Sequence, residues 1–313
     1  MRITNNMLST NLLRNIQSAQ GKLDDLQNQL SSFHRVNKPS DDPAGVENIL
    51  KLNNSISSVN QWKKNADQAV SYMSTTDSTL GDISSMLNRV KELAVQGASD
   101  TSSPESRKAI AVEVDQISQE LQNMANTKVG NKYIFGGTQT NQKPLVSVDA
   151  LGNPTWAGNG NDIAFNVGDG INLPISVKGT KLFVNPGTTN SDGSITQGLF
   201  KTLSNLRTAL NGTVIPPSTT VGESVGTTLE DIDGNLDNII AQRADLGARV
   251  NRITTLGDQL DTMTTNLQKN VSGIQDADMA QTILEFQSQQ NVYQAALSIG
   301  AKIIQPSLVD FMR

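Results

Sequence analysis

The chain has 313 residues, a formal net charge of -5 and a pI near 5.0, with 36% hydrophobic and only 4% aromatic residues. Roughly a third of it is Asn, Gln, Ser and Thr, a composition that buries thin seams rather than a thick core. This charge offers no basic field for nucleic acid, and zero cysteines exclude disulfides, thiolate nucleophiles and thiolate metal sites. No apolar h-region follows Met1-Arg2-Ile3-Thr4-Asn5-Asn6, and no stretch nears the ~18 apolar residues of a membrane span. Neither a cleavable signal nor a membrane segment is expected, so a chain that leaves the cell needs another route.

Taken in chain order, Leu12, Ile16, Ala19, Leu23, Leu26, Leu30 and Phe33 alternate spacings of four and three and predict a first helix. Over some 33 residues it would be roughly 50 Å long at about 1.5 Å per residue. His34 to Asp42 breaks that register. Asp42 then reads as an N-cap and Pro43 as the first helical residue of a long helix reaching Gln96, stopped by Gly97 and the polar run Ser99 to Ser103. Along it Leu52, Val59, Ala66, Met73, Leu80, Leu87 and Ala94 recur every seventh position. Such a strict period keeps one seam facing a partner, as in a coiled coil. Pro104 after Ser103 opens a third helix striped by Ile110, Val114, Ile117, Leu121 and Met124 and ended by Gly130.

Tyr133-Ile134-Phe135 before Gly136-Gly137 reads as a strand or hairpin entry. Residues 142–197 then change character. Short β-like runs, Leu145–Val148, Ile163–Val167, Ile175–Val177 and Lys181–Val184, alternate with Gly, Asn and Asp turns. They predict a small inserted β domain. Phe200, Leu203, Leu206 and Leu210 give a short amphipathic helix, and Gly212 to Gly226 with Pro216-Pro217 reads as a loop.

A second seven-rung ladder follows, Ile232, Ile239, Leu246, Ile253, Leu260, Leu267 and Ile274, and breaks between Gln275 and Asp278. Beyond the break Met279, Ile283, Phe286, Tyr293, Leu297 and Ile304 repeat the four-three scheme, with Gln290 and Gly300 as weak rungs. The matched ladders predict a mainly α fold with a small inserted β domain, its long antiparallel coiled-coil helices formed from both ends of the chain. The expected divisions are 1–42 with 275–313 as a terminal coiled coil, 43–141 with 198–274 as a helical rod, and 142–197 as the β domain. Outer helices this thin are marginal alone and gain stability by packing against copies from other molecules.

Chemistry finds little purchase. Asp41-Asp42 and Asp276 with Asp278 have the residue types of metal ligands or an acid/base pair, but their positions suit a helix cap and a register break. His34 is the sole histidine, which rules out a His cluster or a Ser-His-Asp triad within one chain. Gly158-Asn159-Gly160 and Gly168-Asp169-Gly170 do not complete a phosphate-binding GxGxxG and read as turns. No catalytic, cofactor or metal site is expected.

Four segments carry a family resemblance: Met1-Arg2-Ile3-Thr4-Asn5-Asn6-Met7, Arg35-Val36-Asn37-Lys38-Pro39-Ser40-Asp41-Asp42-Pro43-Ala44-Gly45, Tyr133-Ile134-Phe135-Gly136-Gly137-Thr138 and Ser307-Leu308-Val309-Asp310-Phe311-Met312-Arg313. Together they resemble the flagellin superfamily, over roughly 1–140 and 228–313, and look most like its hook-filament junction branch. Filament flagellins typically carry Ala-Lys-Asp-Asp-Ala-Ala-Gly where this chain has Pro39-Ser40-Asp41-Asp42-Pro43-Ala44-Gly45. Ser32-Phe33-His34-Arg35 departs from the usual Ser-Thr-Gly-Lys turn, so Phe33 and His34 either extend the outer helix or alter the joint.

The resemblance implies a non-enzymatic, cofactor-free flagellar subunit outside the cell, exported by the flagellar type III apparatus. Its implied partners are copies of itself in a ring, the first hook-associated protein, flagellin, and a cytoplasmic chaperone on the C-terminal helix. Flagellin itself is one alternative, and a flagellin relative with an enzymatic inserted domain is another. The assembly interface is then expected on Leu12, Ile16, Leu23, Leu26, Leu30 and Phe33 with Met279, Ile283, Phe286, Tyr293, Leu297, Ile304, Leu308 and Phe311. The domain joint falls to Asp41, Asp42, Pro43, Asp276 and Asp278.

Overall fold

The computed structural model describes residues 5–99, 102–184, 197–216 and 218–304. Among the described residues six α-helices carry the fold: α1 (Asn5–Ser32), α2 (Pro43–Ala98), α3 (Pro104–Ala125), α4 (Leu199–Leu210), α5 (Val221–Gln275) and α6 (Met279–Ile304). Between α3 and α4 lie three antiparallel hairpins: β1 (Lys128–Val129) with β2 (Lys132–Tyr133), β3 (Leu145–Val148) with β4 (Pro154–Trp156), and β5 (Ala164–Gly168) with β6 (Ile171–Pro174). The mainly α fold with a small β insertion is therefore as expected. The chain forms two compact units, residues 1–60 with 262–313 and residues 61–261.

In the 61–261 unit the heptad ladders face inward: Ala66, Met73, Leu80, Leu87, Ala94, Ile232, Ile239, Leu246 and Ile253 all belong to one buried core. Three ion pairs fix the direction of the two long helices. Lys63 bonds Asp261, Asp77 meets Arg243 at 2.9 Å and Lys91 meets Asp233 at 2.5 Å, so α2 and α5 run antiparallel. These pairs are part-exposed and screened by solvent, so they set register more than stability.

Helix ends follow local capping chemistry. Ser103 Oγ accepts from the Ser106 amide at 3.2 Å, with Pro104 at the first helical position, as its sequence predicts. The helix ends five residues before Gly130, because Asn126 turns its side chain onto β3: Oδ1 accepts from Leu145 N at 3.0 Å and Nδ2 donates to Leu145 O at 3.2 Å. Gly130 (φ 61°) instead makes the β1–β2 turn. Helix α2 runs one residue past Gly97 and ends at Ala98, directly before the polar run expected to stop it. A Cβ at Gly97 would lie 2.3 Å from Leu210 Cδ2, so the glycine lets α4 close against the helix.

The segment read as a loop from Gly212 to Gly226 is helical from Val221. Thr220 and Glu223 form a capping box, Thr220 Oγ1 accepting from Glu223 N at 3.1 Å and Glu223 Oε2 accepting from Thr220 N at 3.2 Å. The hydroxyl and amide of Thr219 also donate to Glu223, which holds its carboxyl below the usual range.

The insertion does not keep a core of its own. Phe183 sits at the centre of an aromatic knot with Phe135 at 5.3 Å, Trp156 at 5.6 Å and Phe200 at 5.8 Å between ring centroids. The strand expected at Lys181–Val184 is a π-helical turn over Thr180–Val184. A strand would send Leu182 and Phe183 to opposite faces, and here both are buried in one core. Ile175–Val177 is likewise irregular, tied to Ile163 by Ile175 N to Ile163 O at 2.8 Å and Ile163 N to Ser176 Oγ at 2.9 Å. Strands β4 and β6 went unread because each is short and carries a proline.

Tyr72 links α2 to this region, its hydroxyl donating to Ile134 O at 2.9 Å. Burial pushes its pKa from 10.0 to about 12. A raised folded value means that the stabilisation is complete below pH ~10 and is lost as pH climbs through about 12. Tyr72→Phe is expected to cost about 1 kcal/mol at neutral pH, by orphaning the Ile134 carbonyl, and to remove the highest step from a tyrosinate titration read at 295 nm. An unchanged titration in the variant would contradict this.

Candidate assembly interface

In the unit formed by residues 1–60 and 262–313, α1 and α6 pack along their length. Asp276 at His34, Gln289 Nε2 to Ala19 O at 3.4 Å, and Gly300 against Leu12 and Ile16 mark an antiparallel pair. On α1 the predicted rungs Leu12, Ile16, Leu23, Leu26 and Leu30 are half-buried and Ala19 is buried. On α6 the side turned to α1 is not quite the predicted one. Thr282 and Gly300 are buried and Phe286, Gln289, Tyr293 and Ala296 half-buried, a four-three ladder of mostly small or polar rungs.

Gly300, read as a weak rung, is the point of closest approach, where a Cβ would lie 2.9 Å from Leu12 Cδ2. The more apolar ladder is rotated roughly 60° around α6 at about 100° per residue. Of its members Met279, Phe286 and Tyr293 are half-buried, while Ile283 and Leu297 are each 44% exposed. Leu284, Val292 and Ile299 are also exposed. The α6 backbone runs to Ile304, but that side chain, with Leu308 and Phe311, lies outside the described residues. One half of the α6 stripe thus covers α1 and the other half is bare.

Phe33 does not continue the ladder. Helix α1 ends at Ser32, and Phe33 takes φ 62° with its side chain 62% exposed. A left-handed conformation costs a non-glycine residue about 1–2 kcal/mol, and it bends the chain into a hydrogen-bonded joint. There Phe33 O accepts from Ala277 N at 3.0 Å, Arg35 N donates to Gln275 O at 2.7 Å, and His34 pairs with Asp276 as an isolated antiparallel bridge.

The acidic residues of the joint are spent on this geometry. Asp42 caps α2, its Oδ1 accepting from Gly45 N at 2.9 Å with Pro43 leading the helix. Asp278 caps α6 through Ala280 N at 3.0 Å and Gln281 N at 3.2 Å. Asp41 Oδ2 accepts from Lys38 N at 2.8 Å and Asn37 N at 3.0 Å, amides that hold its carboxyl below the usual range. Asp276 Oδ1 lies 3.1 Å from His34 Nδ1 and its Oδ2 accepts from Ser272. Arg35 reaches across to Ile274 O at 2.8 Å.

The cap at Asp42 was legible from Asp-Asp-Pro, whereas Asp278, expected only at a register break, also proves to be a cap. The His34–Asp276 bridge was not legible, since it joins residues 242 apart. Among the described residues no three His, Cys, Asp or Glu gather as a metal site, and no helix is long and apolar enough to cross a membrane.

The site is thus a pair of terminal helices closed by a hydrogen-bonded joint, with a helical unit carrying β hairpins between them in sequence. The chain belongs to the flagellin family: the bacterial flagellin N-terminal helical region matches residues 3–140 and the C-terminal helical region matches 229–312. It is 26% identical over 323 residues to the flagellar filament 41 kDa core protein of Borreliella burgdorferi, covering 96% of each chain. It is 25% identical over 304 residues to flagellar hook-associated protein 3 of Escherichia coli, covering 95% of each. The fold is shared with the solved flagellar hook-associated protein-3 of Legionella pneumophila, with a TM-score of 0.62 and 17% identity over 72% of this chain and 98% of that one.

Proposed function

We propose that this chain is the junction subunit that joins the hook to the filament, forming a ring through its terminal helices between the first hook-associated protein and flagellin. The half-bare stripe of α6 carries the reading: Ile283 and Leu297 are exposed on a helix already paired with α1, an apolar strip that a neighbour would cover. In this reading 1–42 with 275–313 forms the inner tube, 43–141 with 198–274 the rod around it, and 142–197 faces outward. Export by the flagellar type III apparatus, with a chaperone holding the C-terminal helix, belongs to the same proposal. So does the absence of enzymatic activity, since Asp41, Asp42 and Asp278 give their carboxylates to backbone amides.

Hook-associated and filament relatives are about equally similar in sequence. Pro43 after Asp41-Asp42 tips the reading to the junction, because filament flagellins typically have alanine in that position. Purified chain added to filament fragments and to hook fragments separates the two. Addition that stops at a limited layer is expected, and continuous growth of a filament would make it a flagellin.

A further inference from the structure

Charge is unevenly spread over the 61–261 unit. From Leu121 to Val148 there is no acidic residue but three lysines, Lys128, Lys132 and Lys143, in a chain of net charge -5. Folding gathers them. The β1–β2 hairpin pairs Lys128 with Tyr133 and Val129 with Lys132, Tyr133 N donates to Thr140 O at 2.9 Å, and Asn126 binds Leu145. All three lysines are exposed, and none makes an ion pair among the described residues. Lys128 lies over the Tyr133 ring at 4.5 Å.

The opposite sign collects on α5. From Gly222 to Gln242 there are five acidic residues and no basic one. Glu223 is spent on the capping box, Asp231 is buried and Asp233 pairs with Lys91. Glu230 and Asp237 are left exposed, two helical turns apart, with Ile240 52% exposed a turn further on.

These patches lie at different heights of the unit. The basic patch is anchored beside Tyr72 through Ile134, whereas the Asp77–Arg243 and Lys91–Asp233 pairs bracket Asp237 higher up α2. The offset along α2 is roughly 20 Å to Asp237 and roughly 30 Å to Glu230 at about 1.5 Å per residue. The patches of one molecule therefore stand at separate levels, and a second copy displaced along the helix axis brings unlike charges together.

We infer that Lys128, Lys132 and Lys143 of one subunit dock on Glu230 and Asp237 of the next, a head-to-tail electrostatic contact that sets the axial stagger between neighbouring copies. It rests on the assembly reading above and adds a contact outside the terminal helices. An anionic lipid surface is the weaker fit, because three lysines give little field and the complementary patch is on the chain itself.

The test uses full-length chain in a mixture of unlabelled and 15N-labelled copies, assembled and treated with a zero-length carbodiimide that joins lysine amines to carboxylates. Mixed-isotope cross-links between Lys128, Lys132 or Lys143 and Glu230 or Asp237 are expected. Either K128E/K132E or E230K/D237K should raise the concentration needed for assembly at least tenfold, and mixing the two variants should restore it. Normal assembly without these cross-links, and unaffected by either variant, would overturn the contact while leaving the assembly reading intact. Lysine variants that lose binding to phosphatidylglycerol vesicles but assemble normally would overturn it in favour of a lipid surface. Failure of the unmutated chain to assemble would overturn both.

Discussion

Replacing Ile283 and Leu297 together by glutamate leaves the isolated chain folded and abolishes its assembly. Both side chains are 44% exposed in the single subunit, where surface substitutions usually shift stability by within about 0.5 kcal/mol. In an assembly that covers the α6 stripe, the same glutamates place two carboxylates in an apolar seam, at several kcal/mol each unless a partner neutralises them. Helix content by circular dichroism and the melting temperature should match the parent, and sedimentation should show no ring or oligomer. A variant that assembles like the parent would remove the stripe from the interface. Should it melt early, the glutamine pair at the same positions keeps the question open to measurement.

Phe183→Ala is expected to have the largest effect on folding, about 3–5 kcal/mol, the range for truncating a buried aromatic side chain. Phe183 is fully buried and touches the rings of Phe135, Trp156 and Phe200. Each of those comes from a different stretch of chain, so one cavity loosens the hairpins, the π-turn and α4 together. The near-ultraviolet dichroism of Trp156 should weaken, and the unit should melt roughly 10 °C lower at about 2–4 °C per kcal/mol. A loss under 1 kcal/mol would mean that the knot repacks freely and is not what holds the insertion to the helices.

Much of the fold was legible where the physics is local. Asp42-Pro43 and Ser103-Pro104 announce helix starts because capping uses residues a turn apart, and the inner heptads announce a seam because Ile and Leu recur without competition. Thr220-Val221-Gly222-Glu223 was missed although it is just as local, since two glycines, Gly222 and Gly226, outweighed the cap. The seam between α1 and α6 was half legible. On α6 an apolar ladder and a small-residue ladder share Phe286, Tyr293 and Gly300, and hydrophobicity alone picks the apolar one. The helix turns the small one to α1, because Thr282, Ala296 and Gly300 permit an approach that Ile283 and Leu297 would block. Which ladder faces the partner depends on backbone distance, which no single-helix pattern encodes. The His34–Asp276 bridge and the π-turn at Phe183 depend on distant chain meeting in space and were out of reach for the same reason.

The small-runged seam between α1 and α6 also has a kinetic meaning. It is anchored at one end by the backbone bonds around His34 and Gln275, and towards its other end Leu12 and Ile16 close on Gly300. In a helix pair anchored at one end, the far end frays more readily than the anchored one. An arriving neighbour can capture a half-open α6 before it recloses, with the joint already holding the strands in register. In the proposed ring, closure would then advance one captured helix at a time rather than by the collision of finished parts.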